Sequence, residues 1–364
     1  MKRRQFLQGA GVGLAAAAVA SPAIAQSAPT VRWRLATSFP KNLDTLYGAC
    51  EMFSKAVAEL SDQKFLIQVF GPGEIVPAFQ VFDAVSNNTV EMGNSGSYYY
   101  IGKDLAFAFG TAVPFGLNTR QMNAWLIYGG GTDLLNELYG KYNVYGLPFG
   151  NTTAQMGGWF RKEIKTVEDL KGLKFRCGGM AGQVLAKLGV VPQQIPPADI
   201  YPALEKGTID AAEWVGPYDD EKLGFHKVAK YMHIPGVLEL CANTGLYINK
   251  AAWAKLPVSY QSMLRAACAY ALMDMLAGYD ARNAKALARV VAQGAVLTVL
   301  TPETLRALRT ALEQVLDEEA AKSAQFKTVL DNWRTFRAEQ HRWFSIADAR
   351  TEMSVYALTA AGTQ

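Results

Sequence analysis

Two runs of this chain carry residue types that could bind a small organic anion. Leu170–Gly179 (LKGLKFRCGG) places Arg176 at the end of a short apolar strand, and Asp210–Asp220 (DAAEWVGPYDD) places Glu213 and Trp214 at another strand end. Arginine presents paired donors that match a carboxylate, and strand ends line the crevice of open α/β sheets. The pattern favours an anion site in which a guanidinium faces a carboxylate and an indole. A structural salt bridge of the arginine is an equal alternative.

Hard oxygen donors accompany this anion site. Glu213 has apolar neighbours on both sides, which indicates burial, and a buried acid needs a partner. Together with Gln155 it offers oxygens suited to sodium, calcium or magnesium. A 2-oxo or 2-hydroxy acid could chelate the same ion. Tyr98 and Tyr99 follow a strand-end turn and could line a cleft, although core packing is the simpler interpretation of both.

Motifs of known enzymes are missing from the sequence. Gly93–Gly96 lacks the final glycine of a nucleophile elbow, and Gly129–Gly131 lacks the lysine of a P-loop. Gly178–Gly179 precedes a predicted helix and could face an anion, which is a weak signal alone. No metal-binding spacing links the three histidines, His226, His233 and His341. A catalytic function therefore has little support.

The N-terminus has the three parts of an export signal. A basic start with the Arg3–Arg4 pair precedes the apolar stretch Ala10–Ala20, and Ala23–Ala25 fits a cleavage site. The sequence predicts a signal peptide over residues 1–25, of twin-arginine type, and a periplasmic protein. The alternative, an uncleaved anchor, is disfavoured because spanning a bilayer takes about 20 apolar residues.

The net charge and the spacing of the cysteines restrict which partners and which cysteine chemistry the sequence allows. Loss of three basic residues with the signal lowers the net charge from +4 to about +1, which excludes the basic stripe of a nucleic-acid-binding protein. The four cysteines, Cys50, Cys177, Cys241 and Cys268, form no C-x-x-C motif. We interpret them as buried small hydrophobes, with an export-dependent disulfide as the alternative.

The remaining pattern predicts an α/β fold with two lobes. Strands and helices alternate first over 31–92 and again after Gly150. Residues 26–150 with about 240–300 are expected to form the first lobe and a crossing helix, and residues 151–239 the second lobe. Chain crossings near Gly150 and Gly236 are typical of a hinge-closing binding protein. The predicted elements are strands at 31–36, 65–70, 90–92, 154–160, 174–177, 209–214 and 238–248, with helices at 44–60, 77–85, 182–188, 200–206 and 259–287. Asp44 is expected to cap the first of these helices.

A helical segment, 301–364, closes the chain. Thr301 can cap a helix that has Pro302 in its first turn, and no proline or glycine follows before about Trp343. A pattern of that length suggests one long helix that joins subunits. A helix folded back on its own lobes is the alternative.

The residues resemble a known family at two long runs. GNTTAQMGGWFRKEI, and the run from DLKGLKFRCGGMAGQVLAKLG through IDAAEWVGPYDDEKLGFHKVA, resemble the solute-binding proteins of TRAP transporters (tripartite ATP-independent periplasmic transporters). The most similar subgroup binds α-keto acids such as pyruvate and 2-hydroxy acids such as lactate. The likeness covers essentially the whole mature chain.

This resemblance implies a periplasmic receptor that closes on its ligand and delivers it to membrane permease subunits. It implies two α/β lobes, a long helix that crosses both, a sodium or calcium ion beside a small monocarboxylate, and homodimers formed through C-terminal helices. Roles are carried over to this chain by position: Arg176 for the carboxylate, Gln155, Glu213 and the Trp214 carbonyl for the cation, Glu239 for closure, and Tyr98 and Tyr99 for the walls.

One departure from the subgroup bears on the ligand. Relatives tend to carry two tryptophans where this chain has Val237–Leu238, and the following Leu240–Ala242 lacks the glycine-rich pattern. Two other functions stay open from the residues alone: a secreted metal-dependent enzyme acting on keto acids, and a periplasmic sensor subunit.

Overall fold

Residues 29–361 are described by a computed structural model and form two β-sheets with helices packed around them. The predicted signal peptide, 1–25, lies outside the described residues. The strands are β1 (Val31–Thr37), β2 (Phe65–Phe70), β3 (Met92–Ser95), β4 (Val144–Asn151), β5 (Gly158–Phe160), β6 (Lys174–Arg176), β7 (Val191–Gln193), β8 (Ala211–Ala212), β9 (Tyr231–Ile234), β10 (Asn243–Asn249) and β11 (Val296–Val299).

The helices lie between these strands up to β11 and then form the C-terminal segment alone. They are α1 (Leu46–Leu60), α2 (Val81–Ser86), α3 (Thr119–Tyr128), α4 (Gly131–Gly140), α5 (Ala181–Lys187), α6 (Pro197–Glu205), α7 (Pro217–Leu223), α8 (Lys250–Lys255), α9 (Val258–Ala292), α10 (Pro302–Lys322), α11 (Ala324–Ile346) and α12 (Asp348–Ala361). Within residues 29–361, no helix has the length and apolar character needed to cross a membrane.

The first lobe is built on a five-stranded sheet in the order β2–β1–β3–β10–β4. In β1 the buried Trp33 and Leu35 alternate with the exposed Arg32 and Arg34, because successive side chains of a strand point to opposite faces. Strands β1, β2 and β3 are parallel, whereas β10 runs antiparallel to β3 and β4. Helix α1 covers this sheet with a buried stripe that includes Leu46.

The second lobe is built on a six-stranded sheet in the order β11–β9–β5–β8–β6–β7. Strand β6 lies parallel to both β7 and β8, so Arg176 and the residues after Ala212 leave the sheet at the same edge. Two lobes, predicted from the alternation of elements, are confirmed.

Within residues 29–361, three connections join the two sheets. The segments 152–157 and 235–242 lie near the crossings predicted at Gly150 and Gly236, and α9 is the third connection. At 35 residues α9 is about 52 Å long. It packs on α1 and β4 of the first lobe and on α7 of the second.

The predicted extent of the first lobe differs from the structure at its C-terminal end. Residues 296–299 were expected there, within 240–300, but they form β11, which pairs in parallel with β9 of the second sheet. The reason is geometric, because α9 ends beside the second lobe and delivers the chain to that sheet's edge.

The C-terminal segment also differs from the single long helix expected. It breaks at Ser323, whose side chain accepts a hydrogen bond from the Phe326 amide and so starts α11. The apolar stripes of α10 and α11 are buried on the protein's own lobes, α10 against α5 and α11 beside Phe109, which contacts Phe326 and Trp333. Residues 302–346 therefore fold back on the protein's own lobes, as the alternative interpretation predicted.

Candidate functional site

Arg176 lies at the C-terminal end of β6 and is completely buried. Its Nε donates to the Ile195 carbonyl at 3.1 Å, and its Nη1 donates to the Glu213 carbonyl at 2.5 Å. These two bonds fix the plane of the guanidinium. No residue of the described chain accepts a hydrogen bond from Nη2. Because a buried guanidinium nitrogen needs an acceptor, this nitrogen is positioned to bind an anion.

Two buried carboxylates face the arginine. Glu213 Oε2 is 3.7 Å from Arg176 Nη1 and is fully enclosed. Burial, reinforced by the nearby Glu239, raises the pKa of Glu213 well above its usual range. Burial also raises the pKa of Glu239 to about 8, although Arg176 acts in the opposite direction. With both acids ionised the site has one positive and two negative charges. A bound carboxylate would add a third negative charge, and a cation would offset the excess.

A carboxylate oxygen of Glu213, the Trp214 carbonyl oxygen and the side-chain amide of Gln155 lie close together. The Gln155 amide end that faces them lies 2.6 Å from Glu213 Oε1 and 3.2 Å from the Trp214 carbonyl, while its other end bonds Thr152 Oγ1 at 2.7 Å. The two ends of an amide are interchangeable in a structure without hydrogens. With nitrogen inward, the amide donates to both oxygens; with oxygen inward, carboxylate, amide and carbonyl oxygens form a donor set for a hard cation.

The donor set fits sodium or calcium and does not fit a soft metal. It consists of oxygens, and Glu213 Oε2 has no hydrogen-bond partner in the part of the chain that the structure describes. Across residues 29–361, no group of three or more His, Cys, Asp or Glu side chains is arranged to hold a metal. A cation here would depend on amide and backbone oxygens as well as carboxylate.

Aromatic rings enclose the site. The Arg176 guanidinium carbon lies over the Trp214 ring, 5.1 Å from the ring centroid. Across the cleft, the rings of Tyr98 and Tyr99 stack at 4.7 Å. Both tyrosines line a small, nearly filled cavity together with Gln155 and Trp214.

All the residues predicted for the site lie together, although they come from different parts of the fold. Tyr98 and Tyr99 belong to a 3₁₀ helix after β3 in the first lobe, and Arg176, Glu213 and Trp214 follow strands of the second lobe. Gln155 and Glu239 lie in the two non-helical connections. No side chain of this set is more than 7% exposed. The two lobes are therefore in a closed arrangement.

Some residues at the site were not predicted. Thr152 Oγ1 bonds the Gln155 amide and accepts from the Ala242 amide at 2.9 Å, which ties the two connections together. Phe39 reaches across from the first lobe to within 6.4 Å of the Trp214 ring, measured between centroids. Their type and spacing gave no signal of this role. The Thr152–Gln155 separation of three residues is recognisable only once the loop is known.

The histidines and cysteines have ordinary structural roles. His233 Nε2 accepts from the Ile164 amide at 3.1 Å, and His226 and His341 bond Gln293 and the Gly116 carbonyl. The cysteines, Cys50, Cys177, Cys241 and Cys268, are free thiols and buried. Their interpretation as small hydrophobes is confirmed.

Solved structures of the same architecture are known. The chain is 51% identical to a TRAP transporter solute-binding protein from Bordetella bronchiseptica RB50, with a TM-score of 0.90 over 92% of this chain and 99% of that one. That structure is a mixed-occupancy dimer, with copurified calcium and picolinate in one active site and the other site apo. A TRAP periplasmic solute-binding protein from Pseudoalteromonas atlantica T6c, with bound sodium and pyruvate, is 39% identical, with a TM-score of 0.87 over 89% of this chain and 99% of that chain.

Comparison with characterised sequences points the same way. The chain is 46% identical over 349 residues to the monocarboxylate 2-oxoacid-binding periplasmic protein of Nostoc sp. PCC 7120, a match that covers 94% of this chain and 96% of the relative. The family described as bacterial extracellular solute-binding protein, family 7, matches residues 36–323. The predictions of a receptor rather than an enzyme, of a TRAP-type binding protein and of a periplasmic location are confirmed. The chain belongs to the family 7 bacterial extracellular solute-binding proteins.

Proposed function

We propose that this receptor binds a small monocarboxylate with a 2-oxo or 2-hydroxy group, together with a sodium or calcium ion, and presents it to TRAP membrane permease subunits. The observation that carries this proposal is the convergence of the Gln155, Glu213 and Trp214 oxygens next to the unpartnered Nη2 of Arg176. The three oxygens suit a cation, and the unpartnered Nη2 suits a carboxylate.

Each residue has a role that follows from its contacts. The Nε and Nη1 atoms of Arg176 bond the protein backbone, and its free Nη2 holds the ligand carboxylate. Gln155, Glu213 and the Trp214 carbonyl hold the cation, which polarises and fixes the ligand oxygens it contacts. Glu239, on the second connection, closes the site, and Tyr98 and Tyr99 exclude water as its walls.

The ligands of the relatives have one chemical feature in common. Pyruvate and picolinate, bound in the two related structures, each carry a carboxylate with a lone-pair donor on the next position, an oxo oxygen or a ring nitrogen. Such a pair can chelate one cation in a five-membered ring. We infer that this chelating pair, rather than the size of the acid, defines the ligand class of this receptor.

Isothermal titration of the mature protein tests the proposal. The protein is unfolded, stripped of ligand and metal with chelator, refolded, and titrated with pyruvate, lactate, picolinate and propionate. Calcium, sodium or tetramethylammonium is added separately. We expect binding of the three chelating acids in calcium or sodium, and little binding of propionate, which lacks the second donor.

Two results would contradict it. Equal affinity for propionate and pyruvate would exclude the chelate, and equal affinity in all three salts would exclude the cation. Recovery of pyruvate unchanged after prolonged incubation is the expected outcome for a receptor, and chemical conversion would favour the keto-acid enzyme instead.

We also propose that two copies associate through α12. Asp348 at its start pairs with Arg120, but the described side chains after it are exposed, including the apolar Met353, Val355, Tyr356 and Leu358, each of which is at least 52% exposed. Residues of α11 near the junction, Trp343 and Ile346, add to the same apolar surface. A patch of this kind on a secreted protein favours a protein partner, and a second copy is the partner most consistent with the dimeric relative.

A further inference from the structure

The Tyr98 ring rests directly on the backbone of the opposite lobe. A Cβ built on Gly178 would lie 2.2 Å from Tyr98 Cε2 and 2.6 Å from its Cζ. A Cβ on Gly179 would lie 2.5 Å from Cδ2 of the same ring. Both glycines follow β6 of the second sheet, whereas Tyr98 follows β3 of the first. This contact therefore exists only while the lobes are closed.

The two glycines differ in backbone conformation. Gly179 has φ +55°, in the left-handed region that disfavours other residues whatever the space. Gly178 is not among the glycines with positive φ, so its backbone conformation is open to alanine. The three atoms nearest to a Cβ at position 178 all belong to the Tyr98 ring.

The ring is confined on two further sides. On its other edge, a Cβ on Gly96 would lie 2.5 Å from Tyr98 Cε1. Its face is stacked on Tyr99, which in turn contacts the Phe79 ring at 4.6 Å. The Tyr99 carbonyl also accepts a hydrogen bond from Gln194 Nε2 of the second lobe at 3.1 Å. A side chain at position 178 would therefore stop the lobes before they meet.

We propose that Gly178 is the positioning residue that admits full closure of the cleft, by giving the Tyr98 ring a bare backbone to rest on two residues beyond Arg176. The proposal rests on the proposed function, because ligand retention is its readout. It also gives Gly178–Gly179 a role other than facing an anion at a helix start. Here the glycine backbone faces an aromatic ring, and the ring completes the wall next to the carboxylate-binding arginine.

The test is a double-mutant cycle on ligand affinity. Gly178→Ala, Tyr98→Ala and the double variant are titrated with pyruvate in calcium, with Gly102→Ala as the control, since a Cβ on Gly102 meets no atom within 4 Å. We expect Gly178→Ala to weaken binding about ten- to hundredfold, the range of an overpacked contact. In the Tyr98→Ala background the same change should have almost no effect, because the ring is gone. The melting temperature of the ligand-free protein should not change with Gly178→Ala, and small-angle scattering should show less compaction on adding ligand.

Each other outcome counts against the proposal. Wild-type affinity in Gly178→Ala, or an equal loss in both backgrounds, would overturn it. A Gly178→Ala protein that fails to fold would also do so, because the contact would then form independently of ligand. If the wild-type chain binds no acid, both the proposed function and this inference fail. If the wild-type chain binds and Gly178→Ala binds equally well, only this inference is refuted.

Discussion

Replacing Arg176 by lysine separates the geometry of the guanidinium from its charge. The arginine uses Nε and Nη1 to bond the Ile195 and Glu213 carbonyls, which leaves Nη2 free to bind the ligand. Lysine keeps a positive charge near Glu213 but has a single ammonium centre, which cannot hold the two carbonyls and a carboxylate in one plane. The substitution therefore removes one or two charge-assisted bonds without leaving the acid unpaired.

The expected loss follows from those bonds. A hydrogen bond to a charged group contributes about 1.5–3 kcal/mol, which corresponds to about ten- to 150-fold in affinity for each ligand bond lost. Arg176→Ala should bind more weakly still, because it also leaves Glu213 buried beside no positive charge.

Titration calorimetry with pyruvate at fixed calcium measures this loss, and melting curves confirm that the variants fold. Arg289→Lys is the matched control, since that arginine pairs with Glu221 at a half-exposed site in the second lobe. Arg176→Lys with wild-type affinity would refute the assignment of the fork to the carboxylate.

Three further outcomes are expected. Gln155→Leu should weaken pyruvate binding in calcium about ten- to hundredfold and should abolish most of the difference between calcium and tetramethylammonium; retained cation dependence in a titration would contradict the donor set. Burial raises the pKa of Asp219 to about 6 from 3.8, although Tyr279 and Thr45 donate to it. Because the folded pKa is the higher one, its contribution is complete below about pH 4 and is lost as pH rises through 6. Because the buried Glu213 and Glu239 also have raised pKa values, Asp219→Asn should reduce the fall in unfolding free energy over that range by about 3 kcal/mol and leave the remainder; denaturant titrations at pH 4 and 7 that show the same fall in the variant and the wild type would exclude the residue. Truncation after Ala347 should yield a monomer in light scattering with an unchanged melting temperature, whereas a persistent dimer would exclude α12 as the contact.

The sequence predicted those parts of the site that follow regular strands. Arg176 ends an apolar run and precedes two glycines, so its place at a sheet edge followed from the pattern, and Glu213 was recognised as a buried acid by its apolar neighbours. Gln155 and Glu239 lie in connections without periodicity: Gln155 was named as an oxygen donor beside Glu213, whereas Glu239 was identified through the family resemblance alone. The strand predicted over 154–160 starts at Gly158, because the residues before it turn into the cleft.

Long-range contacts explain what remained unpredicted. Asp44 was expected to cap α1, but its carboxylate bonds the Tyr218 hydroxyl at 2.8 Å and pairs with Lys222 of the second lobe. The role of Gly178 depends on a ring 80 positions earlier in the chain. A local pattern carries no information about either partner, since both arise only when the two lobes meet.

The third connection has a mechanical consequence. Helix α9 is continuous between its two anchor points, where Met275 lies against Gly150 of the first lobe and Tyr279 bonds Asp219 of the second. Between these anchors lies Gly278, a residue type at which helices bend. If the lobes separate, α9 must bend or one of these two contacts must break. We therefore expect the helix to limit how far the lobes of the ligand-free receptor move apart.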